Sequence, residues 1–379
     1  MKKIVLVMFD AGGGHRSAAT ALEMVIQRQE RPWTVELLNL QETLDPIDPL
    51  LKIFSLRVQD VYNQILANNW TLGSRHLLKV LQGAIRAGHR RELRLLEPQW
   101  ARMEPDLVVS LIPHFNRALF ESLALARPGV PFVTVLTDLA DYPPHFWIEQ
   151  QPQFFICGSE RAVEQARSMG HPAERIFRAS GMILHPRFYE SVEVDRDSER
   201  RRLGLEPELP AAIVLFGGAG SSEMPGIAER LGRSQSKTQL MMICGRNEPL
   251  AQALRQSKPG IPMFVEGFTQ RVPYYMRLAD FFIGKPGPGS VSEAIAMDLP
   301  VIVESNAWTL PQERYNAEWV REKQAGIVLH GFKEIVPAVR EMIQPDNLAR
   351  YRQHAAAIQN RAVFEIPDML AQILDRPAR

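Results

Sequence analysis

The sequence IVLVMF at residues 4–9 runs directly into DAGGGHRS at residues 10–17. The first stretch is short, apolar and rich in β-branched side chains, which favours a buried strand. Residues 17–27 have a helical pattern, so His15 is expected at a helix N-terminus beside the carboxyl end of that strand. Open α/β sheets bind ligands at this edge. An imidazole next to glycine backbone therefore indicates chemistry on a polar or anionic substrate.

Short apolar runs alternate with amphipathic stretches along the rest of the chain, which predicts parallel sheets covered by helices. A second apolar run at 211–216 again meets a glycine turn, GGAGSS, at 217–222. A polar connection at about 190–210 lies between the two segments in which a strand meets a glycine turn. We therefore expect an α/β protein of two Rossmann-like domains, at 1–190 and 208–346, that face a central cleft. C-terminal helices at 347–379 are expected to cross back to the first domain.

Composition excludes several functional classes. The formal net charge of the 379 residues is +1, which gives no general case for nucleic-acid binding. No apolar run approaches the ~20 residues that a membrane-spanning helix needs. Cys157 and Cys244 each end an apolar run, so they are expected as reduced core residues. The first strand leaves no room for a signal peptide, and we expect a cytoplasmic protein.

Residues 51–103 differ from the rest of the chain. They carry nine basic side chains against three acidic ones, a local net charge of +6, with leucines, Trp70 and Trp100 interleaved. A basic amphipathic helical insert suits contact with an anionic membrane surface, here the inner membrane face. The alternative is a solvated basic face packed on the domain by its leucines. Both interpretations stay open from the sequence.

A further glycine-rich segment, GKPGPGS at 284–290, follows a predicted strand and precedes a predicted helix. Amides at a helix start form an anion site, and Lys285 can add a cation. The segment lacks the Gly-Lys-Ser/Thr ending of a Walker loop, so it predicts a phosphate site or a tight turn. Glu293, just inside the helix, can accept both hydroxyls of a ribose or favour the helix dipole as a capping acid.

Two other polar patterns bear on the chemistry. Gln312, Glu313 and Asn316 fall on one helical turn and suit the hydroxyls of a sugar, although an ordinary polar helix start has the same pattern. Asp195 and Asp197 form an Asp-x-Asp pair, a spacing that can bind a divalent metal ion. They lie in the polar connection and not after a strand, which indicates a solvated helix start. We therefore expect no metal and no cofactor.

Taken together, the motifs resemble those of the monogalactosyldiacylglycerol synthase and processive diacylglycerol glucosyltransferase family, with peptidoglycan N-acetylglucosaminyltransferase as a more distant relative. The resemblance implies a GT-B fold, a UDP-sugar donor and inversion at the sugar carbon. It covers nearly the whole chain and rests on motifs in this order: GGGH at 12–15, TDL at 137–139, CGRN at 244–247, GF at 267–268, KPGPGS at 285–290 with Glu293, and QERYN at 312–316.

The resemblance also implies residue roles. His15 is expected as the general base that takes the acceptor hydroxyl proton, and Asp138 as the residue that positions His15 or the acceptor. The expected donor-binding set comprises Gly14, Gly218, Gly220, Arg246 and Lys285; Gly267 and Phe268 for the uracil; Gly287, Pro288, Gly289 and Ser290 for the diphosphate; Glu293 for the ribose; and Gln312, Glu313 and Asn316 for the sugar.

Three functional hypotheses follow. The first is an inverting glycosyltransferase acting on a lipid or lipid-linked hydroxyl at the membrane surface. The second keeps the transferase with a soluble small-molecule acceptor, because the family's His-Pro-x-Trp is altered at 142–147. Proline also replaces the family's glycine at Pro311, which affects the donor pocket. The third is a nucleotide-sugar 2-epimerase, which shares the architecture. In each case His15 has an alternative role as a ligand of the donor phosphate.

Overall fold

The computed structural model describes residues 1–9, 14–45, 74–142, 146–191 and 193–376, with the backbone alone for 74–87. Among these residues the chain divides into two compact units. The first holds the described residues up to Pro186 and again those from Asn360 onward, and the second holds Arg187–Gln359. The segments Gly12–Gly13 and 51–73, named above, lie outside the described residues.

The first unit is built on a six-stranded parallel sheet with the order β2-β1-β3-β4-β5-β6. Its central strands are fully buried, as expected for a parallel sheet with helices on both faces. Ile4 in β1 pairs with Val35 on one side and Leu107 on the other. The strands are β1 (Lys2–Met8), β2 (Trp33–Asn39), β3 (Leu107–Ser110), β4 (Phe132–Val135), β5 (Phe154–Cys157) and β6 (Ile176–Arg178).

The second unit repeats this construction with the order β12-β11-β10-β7-β8-β9, again entirely parallel. The predicted α/β class with two parallel sheets is therefore confirmed. The strands are β7 (Ala211–Leu215), β8 (Gln239–Ile243), β9 (Met263–Glu266), β10 (Phe281–Gly284), β11 (Val301–Glu304) and β12 (Gly326–Leu329).

Helices connect the strands and cover both sheets. Those in the first unit are α1 (Gly14–Arg28), α2 (Leu40–Leu44), α3 (Ser74–Met103), α4 (Asn116–Ala126) and α5 (Glu160–Ser168). Those in the second are α6 (Arg196–Arg202), α7 (Glu223–Arg233), α8 (Glu248–Gln256), α9 (Val272–Leu278), α10 (Pro288–Ala296), α11 (Arg314–Glu322), α12 (Ile335–Met342) and α13 (Pro345–Ala357). The last helix, α14 (Ala362–Leu374), belongs to the first unit.

Each sheet has one point where the strand order reverses. In the first sheet this point lies between β1 and β3, and in the second it lies between β7 and β10. Loops that leave such a pair of strands run to opposite sides and open a crevice at the carboxyl edge. His15 follows β1, and Lys285 follows β10, so both candidate sites fall at a reversal point.

The chain returns to the first unit at Asn360, and α14 packs against α1. The carboxylate of Glu365 accepts a hydrogen bond from the Ser180 amide at 2.8 Å, and Arg31 pairs with Asp368. Asn360 packs closely on Gly181, because a methyl group on Gly181 would lie only 2.5 Å from Cγ of Asn360. The other predicted crossing helix, α13, remains in the second unit.

The connection between the units contains the short helix α6. Asp195 caps it, since its Oδ1 accepts a hydrogen bond from the Ser198 amide at 3.2 Å. Arg196 and Arg200 of this helix both reach Asp280, at 2.9 and 2.6 Å. The Asp-x-Asp pair is thus part of a helix start on the second unit.

Helix α3 carries the described part of the basic insert. Leu96 and Trp100 are fully buried, and the Trp100 indole donates a hydrogen bond to Ser122 Oγ on α4 at 2.7 Å. Arg90, Arg91 and Arg94 are exposed. In its C-terminal half the apolar face is therefore core, which corrects the interpretation of Trp100 as a side chain available to a membrane.

Both cysteines are buried, and burial raises the pKa of the Cys157 thiol to about 12 and that of Cys244 to about 11. Such thiols are protonated and unreactive at neutral pH. Across the described ranges, no helix combines the length and apolar character that crossing a membrane requires.

Candidate functional site

The first site is built around His15, the second residue of α1. Its Nδ1 lies 2.8 Å from the backbone oxygen of Leu111 and 3.1 Å from the hydroxyl oxygen of Thr137. A carbonyl oxygen can only accept, so Nδ1 carries the ring hydrogen in the neutral imidazole. Nε2 then keeps its lone pair. This tautomer is the one that a general base acting through Nε2 requires.

Burial keeps His15 neutral. It lowers the pKa of His15 to about 4, opposed by the hydrogen bond to the Leu111 carbonyl, which raises it. The rings of Phe9 and Trp147 lie near the imidazole, with centroids at 6.5 and 6.1 Å. The imidazole is therefore uncharged and able to accept a proton throughout the neutral pH range.

Asp138 holds the side chain of Trp147. Its Oδ2 accepts a hydrogen bond from the Trp147 indole at 2.9 Å. Asp141 holds the same segment, because its Oδ1 accepts from the amides of Phe146 and Trp147 at 2.9 and 2.7 Å. Asp138 thus fixes the ring that lies beside His15. His15 Nδ1 has the Leu111 carbonyl and the Thr137 hydroxyl as hydrogen-bond partners, so Asp138 acts on this region through Trp147.

Sequence reasoning passed over these partners for identifiable reasons. Leu111 acts through its carbonyl, which no side-chain pattern reveals. Thr137 stands in the TDL motif but was not given a role. His114 was also missed: it adopts a positive φ of 68°, and its ring lies 3.9 Å from Phe146. Burial lowers its pKa to about 4, with a further contribution from His15.

The second site begins with two glycine turns that leave neighbouring strands. Leu215 of β7 pairs with Gly284 of β10, so the turns at 217–220 and 285–287 start side by side. A methyl group on Gly217 would lie 3.9 Å from Cε of Lys285, and one on Gly287 would lie 3.5 Å from the same atom. The structure therefore brings together the two glycine motifs that the sequence separates.

A third turn supports the first of these. The Arg246 amide donates to the Gly218 oxygen at 2.8 Å, and Asn247 Nδ2 donates to the Ala219 oxygen at 3.2 Å. A methyl group on Gly245, where φ is 60°, would meet the Gly218 oxygen at 2.3 Å. Only glycine allows this approach, which accounts for the glycine of the CGRN motif.

Helix α10 starts at the second glycine turn. Gly287 is its N-cap and Pro288 its first residue, so the amides of Gly289 and Ser290 lie in the first turn. Gly289 is exposed, and a methyl group there would meet nothing within 4 Å. First-turn amides have no partner inside the helix and carry the positive end of its dipole. This end of α10 can receive an anion.

The polar side chains predicted for a sugar surround that turn. Lys285 Nζ lies 3.2 Å from Glu313 Oε1, and Asn316 Nδ2 donates to the Pro286 oxygen at 2.7 Å. Gln312, Glu313 and Asn316 are all buried, on the 3₁₀ turn Pro311–Glu313 and on α11. The structure therefore joins the residues expected for the sugar to those expected for the diphosphate.

Glu293 and the pair formed by Arg246 and Phe268 complete the second site. Burial raises the pKa of Glu293 to about 7, opposed by the charge of Arg187. The Arg246 guanidinium lies 4.9 Å from the Phe268 ring centroid, and the ring is 58% exposed. Gly267 is held by a hydrogen bond from its amide to Glu266 Oε1 at 3.0 Å. An exposed aromatic ring braced by a cation can stack on a planar base.

Comparison with solved structures defines the class of fold. The chain superimposes on MurG of Acinetobacter baumannii with a TM-score of 0.61 at 14% identity, covering 98% of this chain and 99% of the other. Anabaena Alr3699/HepE in complex with UDP gives 0.57 at 16%, and a Staphylococcus aureus MnaA–UDP structure gives 0.60 at 15%. Coverage is 99% of both chains for HepE, and 100% of this chain and 99% of MnaA. The predicted GT-B fold is confirmed.

The sequence comparisons indicate the class of enzyme. Residues 212–369 match the profile described as Glycosyltransferase family 28 C-terminal domain, and the protein is a glycosyltransferase. The probable monogalactosyldiacylglycerol synthase 2 of rice is 27% identical over 393 residues, covering 100% of this chain and 82% of the relative. Monogalactosyldiacylglycerol synthase 3 of Arabidopsis thaliana is 27% identical, covering 97% and 80%. The resemblance to the monogalactosyldiacylglycerol synthases is confirmed.

Proposed function

We propose that the protein transfers a hexose from a UDP-sugar to a hydroxyl group of a lipid acceptor at a membrane surface, with inversion at the sugar carbon. The observation that carries this proposal is the contact of His15 Nδ1 with the backbone oxygen of Leu111. This nitrogen is committed to Leu111 and Thr137, so Nε2 is the atom that can receive a proton from an acceptor hydroxyl. Asp138 supports this arrangement through Trp147.

The second unit supplies the donor site in this proposal. Two neighbours of the fold were solved in complex with UDP, which supports a uridine nucleotide as a ligand of this protein. The uracil stacks at Phe268 beside Arg246, and the ribose hydroxyls donate to Glu293. The diphosphate binds the amides of Gly289 and Ser290. Lys285 neutralises part of its charge, and Gln312 and Glu313 accept from hydroxyls of the sugar.

The reaction is a displacement at the sugar carbon. The acceptor oxygen forms a bond to C1 while its proton passes to His15 Nε2. The bond between C1 and the diphosphate oxygen breaks, and its electron pair leaves with UDP. A positioned base contributes ~10²–10⁴-fold to such a step. Attack opposite the leaving group inverts the configuration at C1.

Metal independence is part of the proposal. The ammonium of Lys285 and the first-turn amides of α10 can stabilise the charge of the departing diphosphate, because preorganised donors act strongly where charge develops. Asp195 caps α6 and is engaged with Ser198. Turnover is expected to be the same in EDTA and in millimolar Mg²⁺; a loss of turnover in EDTA, restored by Mg²⁺, would contradict this part.

The lipid acceptor is proposed because the relatives are named as galactolipid synthases and because α3 exposes arginines. Reversing two of them, Arg90→Glu with Arg91→Glu, is expected to weaken binding to anionic vesicles and to lower activity on vesicle-borne acceptor. Arg167→Glu, a single charge reversal at an exposed arginine on α5, is the control for a reversal outside α3. If the double variant behaves like the control, this part of α3 does not contact the membrane.

The deciding experiment is one assay with labelled UDP-glucose or UDP-galactose and four conditions. They are vesicles with diacylglycerol, vesicles without it, a panel of soluble alcohols, and no acceptor. Labelled glycolipid in the first condition alone supports the proposal. Labelled soluble glycoside favours the small-molecule transferase.

The fourth condition tests a second candidate function. A solved neighbour of the fold is the UDP-GlcNAc 2-epimerase of Neisseria meningitidis, with a TM-score of 0.58 at 14% identity. UDP-N-acetylglucosamine is therefore included there as well. An epimerised sugar nucleotide without any acceptor would replace the transferase proposal by an isomerase.

A further inference from the structure

Two groups proposed to bind different parts of the donor are bound to each other. Lys285 Nζ lies 3.2 Å from Glu313 Oε1, and the Glu313 side chain is 11% exposed. The lysine stem passes along both glycine turns, as its distances to the methyl positions of Gly217 and Gly287 show. The methyl position of Gly287 also lies 3.7 Å from Glu313 Oε1. The ion pair therefore lies where the diphosphate is proposed to bind.

The backbone on both sides of this ion pair is held in place. Asn316, one turn after Glu313, donates from Nδ2 to the Pro286 oxygen at 2.7 Å and is fully buried. This bond ties the loop that carries Lys285 to the helix that follows Glu313. Relief of charge conflict in this region must therefore come from the side chains of Lys285 and Glu313.

A diphosphate at this place brings like charge close to the Glu313 carboxylate. Like charges repel more strongly in a partly buried site than in water, and the ammonium is attracted to the nearby anion that carries more charge. We infer that binding of a nucleoside diphosphate draws Lys285 from Glu313 to the phosphate oxygens, which releases the carboxylate to accept hydrogen bonds from the attached sugar. Sugar recognition then depends on capture of the diphosphate.

This inference rests on the proposed donor site. It predicts that removing a charged residue of the site increases the affinity for UDP. Glu313→Gln frees Lys285 in advance, so UDP alone should bind about three- to tenfold more tightly. The same variant should lose the preference for UDP-glucose or UDP-galactose over UDP. A residue that merely contacted the donor would weaken binding of the nucleotide when changed.

The test is a double-mutant cycle on UDP affinity by calorimetry at pH 8. It uses wild type, Glu313→Gln, Lys285→Met and the double variant. Lys285→Met should weaken UDP about tenfold, and in that background Glu313→Gln should tighten UDP by a smaller factor than in the wild type, because only the repulsion between carboxylate and phosphate is then removed. Glu318→Gln, an exposed carboxylate on α11, controls for net charge and should leave affinity unchanged. Melting curves confirm that each variant is folded.

Three results would overturn the inference. Equal tightening by Glu313→Gln in both backgrounds would indicate simple repulsion from the carboxylate. Weaker UDP binding by Glu313→Gln would indicate that Lys285 bridges the carboxylate and the phosphate together. Absence of UDP binding to the wild type would end the proposed donor site as well, and this result distinguishes failure of the proposed function from failure of the exchange.

Discussion

The hydroxyl oxygen of Thr137 lies 3.1 Å from Nδ1 of His15, although 122 residues separate them in the chain. His15 follows β1 and Thr137 follows β4, and all strands of the sheet are parallel. Parallel strands end at the same edge, which brings the two side chains together. Because Leu111 also accepts from Nδ1, two acceptors hold one ring hydrogen and the imidazole orientation is determined.

The first prediction concerns this contact. Thr137→Val removes the hydroxyl and is expected to lower kcat about three- to tenfold, the worth of one hydrogen bond, with the donor KM unchanged. Thr137→Ser restores the hydroxyl and should restore kcat. Steady-state kinetics decide: a serine variant as slow as the valine variant, or a raised donor KM, would contradict the assigned role.

The second prediction is spectroscopic and does not depend on activity. Because burial lowers the pKa of His15 to about 4, its ring should remain the neutral Nδ1–H tautomer down to about pH 5. Long-range ¹H–¹⁵N correlation spectra, assigned by comparison with His15→Ala, report the tautomer directly. Since the unfolded chain takes up this proton near pH 6.5, the stability contributed by His15 is lost as pH falls from 6.5 towards 4.

The third prediction separates a base from a phosphate ligand. His15→Ala should leave the affinity for UDP-glucose within a few-fold and lower turnover by ~10² or more. Calorimetry and initial rates measure the two quantities on the same preparation. A parallel loss of affinity and turnover would instead assign His15 to the donor phosphate.

The fourth prediction uses the titration of Glu293. Burial raises its pKa to about 7, so the carboxylate that should accept from the ribose hydroxyls is present above pH 7 and protonated below it. Affinity for UDP-glucose should fall about threefold between pH 8 and 6, and Glu293→Gln should be weaker and independent of pH. UDP-glucose is used and not UDP, because the terminal phosphate of UDP itself titrates near pH 6 and would add its own pH dependence. In UDP-glucose the sugar is attached to that phosphate. An unchanged pH profile in the variant would refute the ribose role.

The fifth prediction concerns the stability of the second unit. Burial would raise the pKa of Asp280, but Arg200, the Ala211 amide and Arg196 together lower it. Arg352 also reaches the carboxylate at 3.4 Å. Asp280→Asn leaves the buried guanidinium of Arg200 without its carboxylate partner and should cost about 3 kcal/mol. Calorimetric melting should show a fall in Tm of about 6–12 °C.

Asp197→Asn, an exposed change on α6, is the control for this prediction and should change Tm little. Because the carboxyl pKa is depressed in the folded state, this stabilisation is present above about pH 4 and is lost as the solution becomes more acidic. Asp280→Asn as stable as Asp197→Asn would show that the three arginines are adequately solvated without the carboxylate.

The sequence alone determined the class of fold, because the pattern of apolar runs and glycine turns is local. The strand that begins each unit is buried on both faces, so its residues are nearly all apolar and it can be recognised from the sequence. Two edge strands, β6 and β12, carry too little of this local pattern to be predicted from the sequence. Ile176–Arg178 has three residues, and Gly326 begins β12 where a methyl group would meet the Val301 oxygen at 1.9 Å. Short edge strands carry little periodicity.

The identity of most candidate site residues was also accessible from the sequence, because motif order indicates a family. The contacts among them were not. These contacts depend on strand order and on backbone atoms. They are the hydrogen bond from Trp147 to Asp138, the contact of Leu111 with His15, and the ion pair of Lys285 with Glu313. Strand order in a parallel sheet is set by packing between distant segments, and a backbone carbonyl is the same in every residue. Only the tertiary structure decides which of these groups meet.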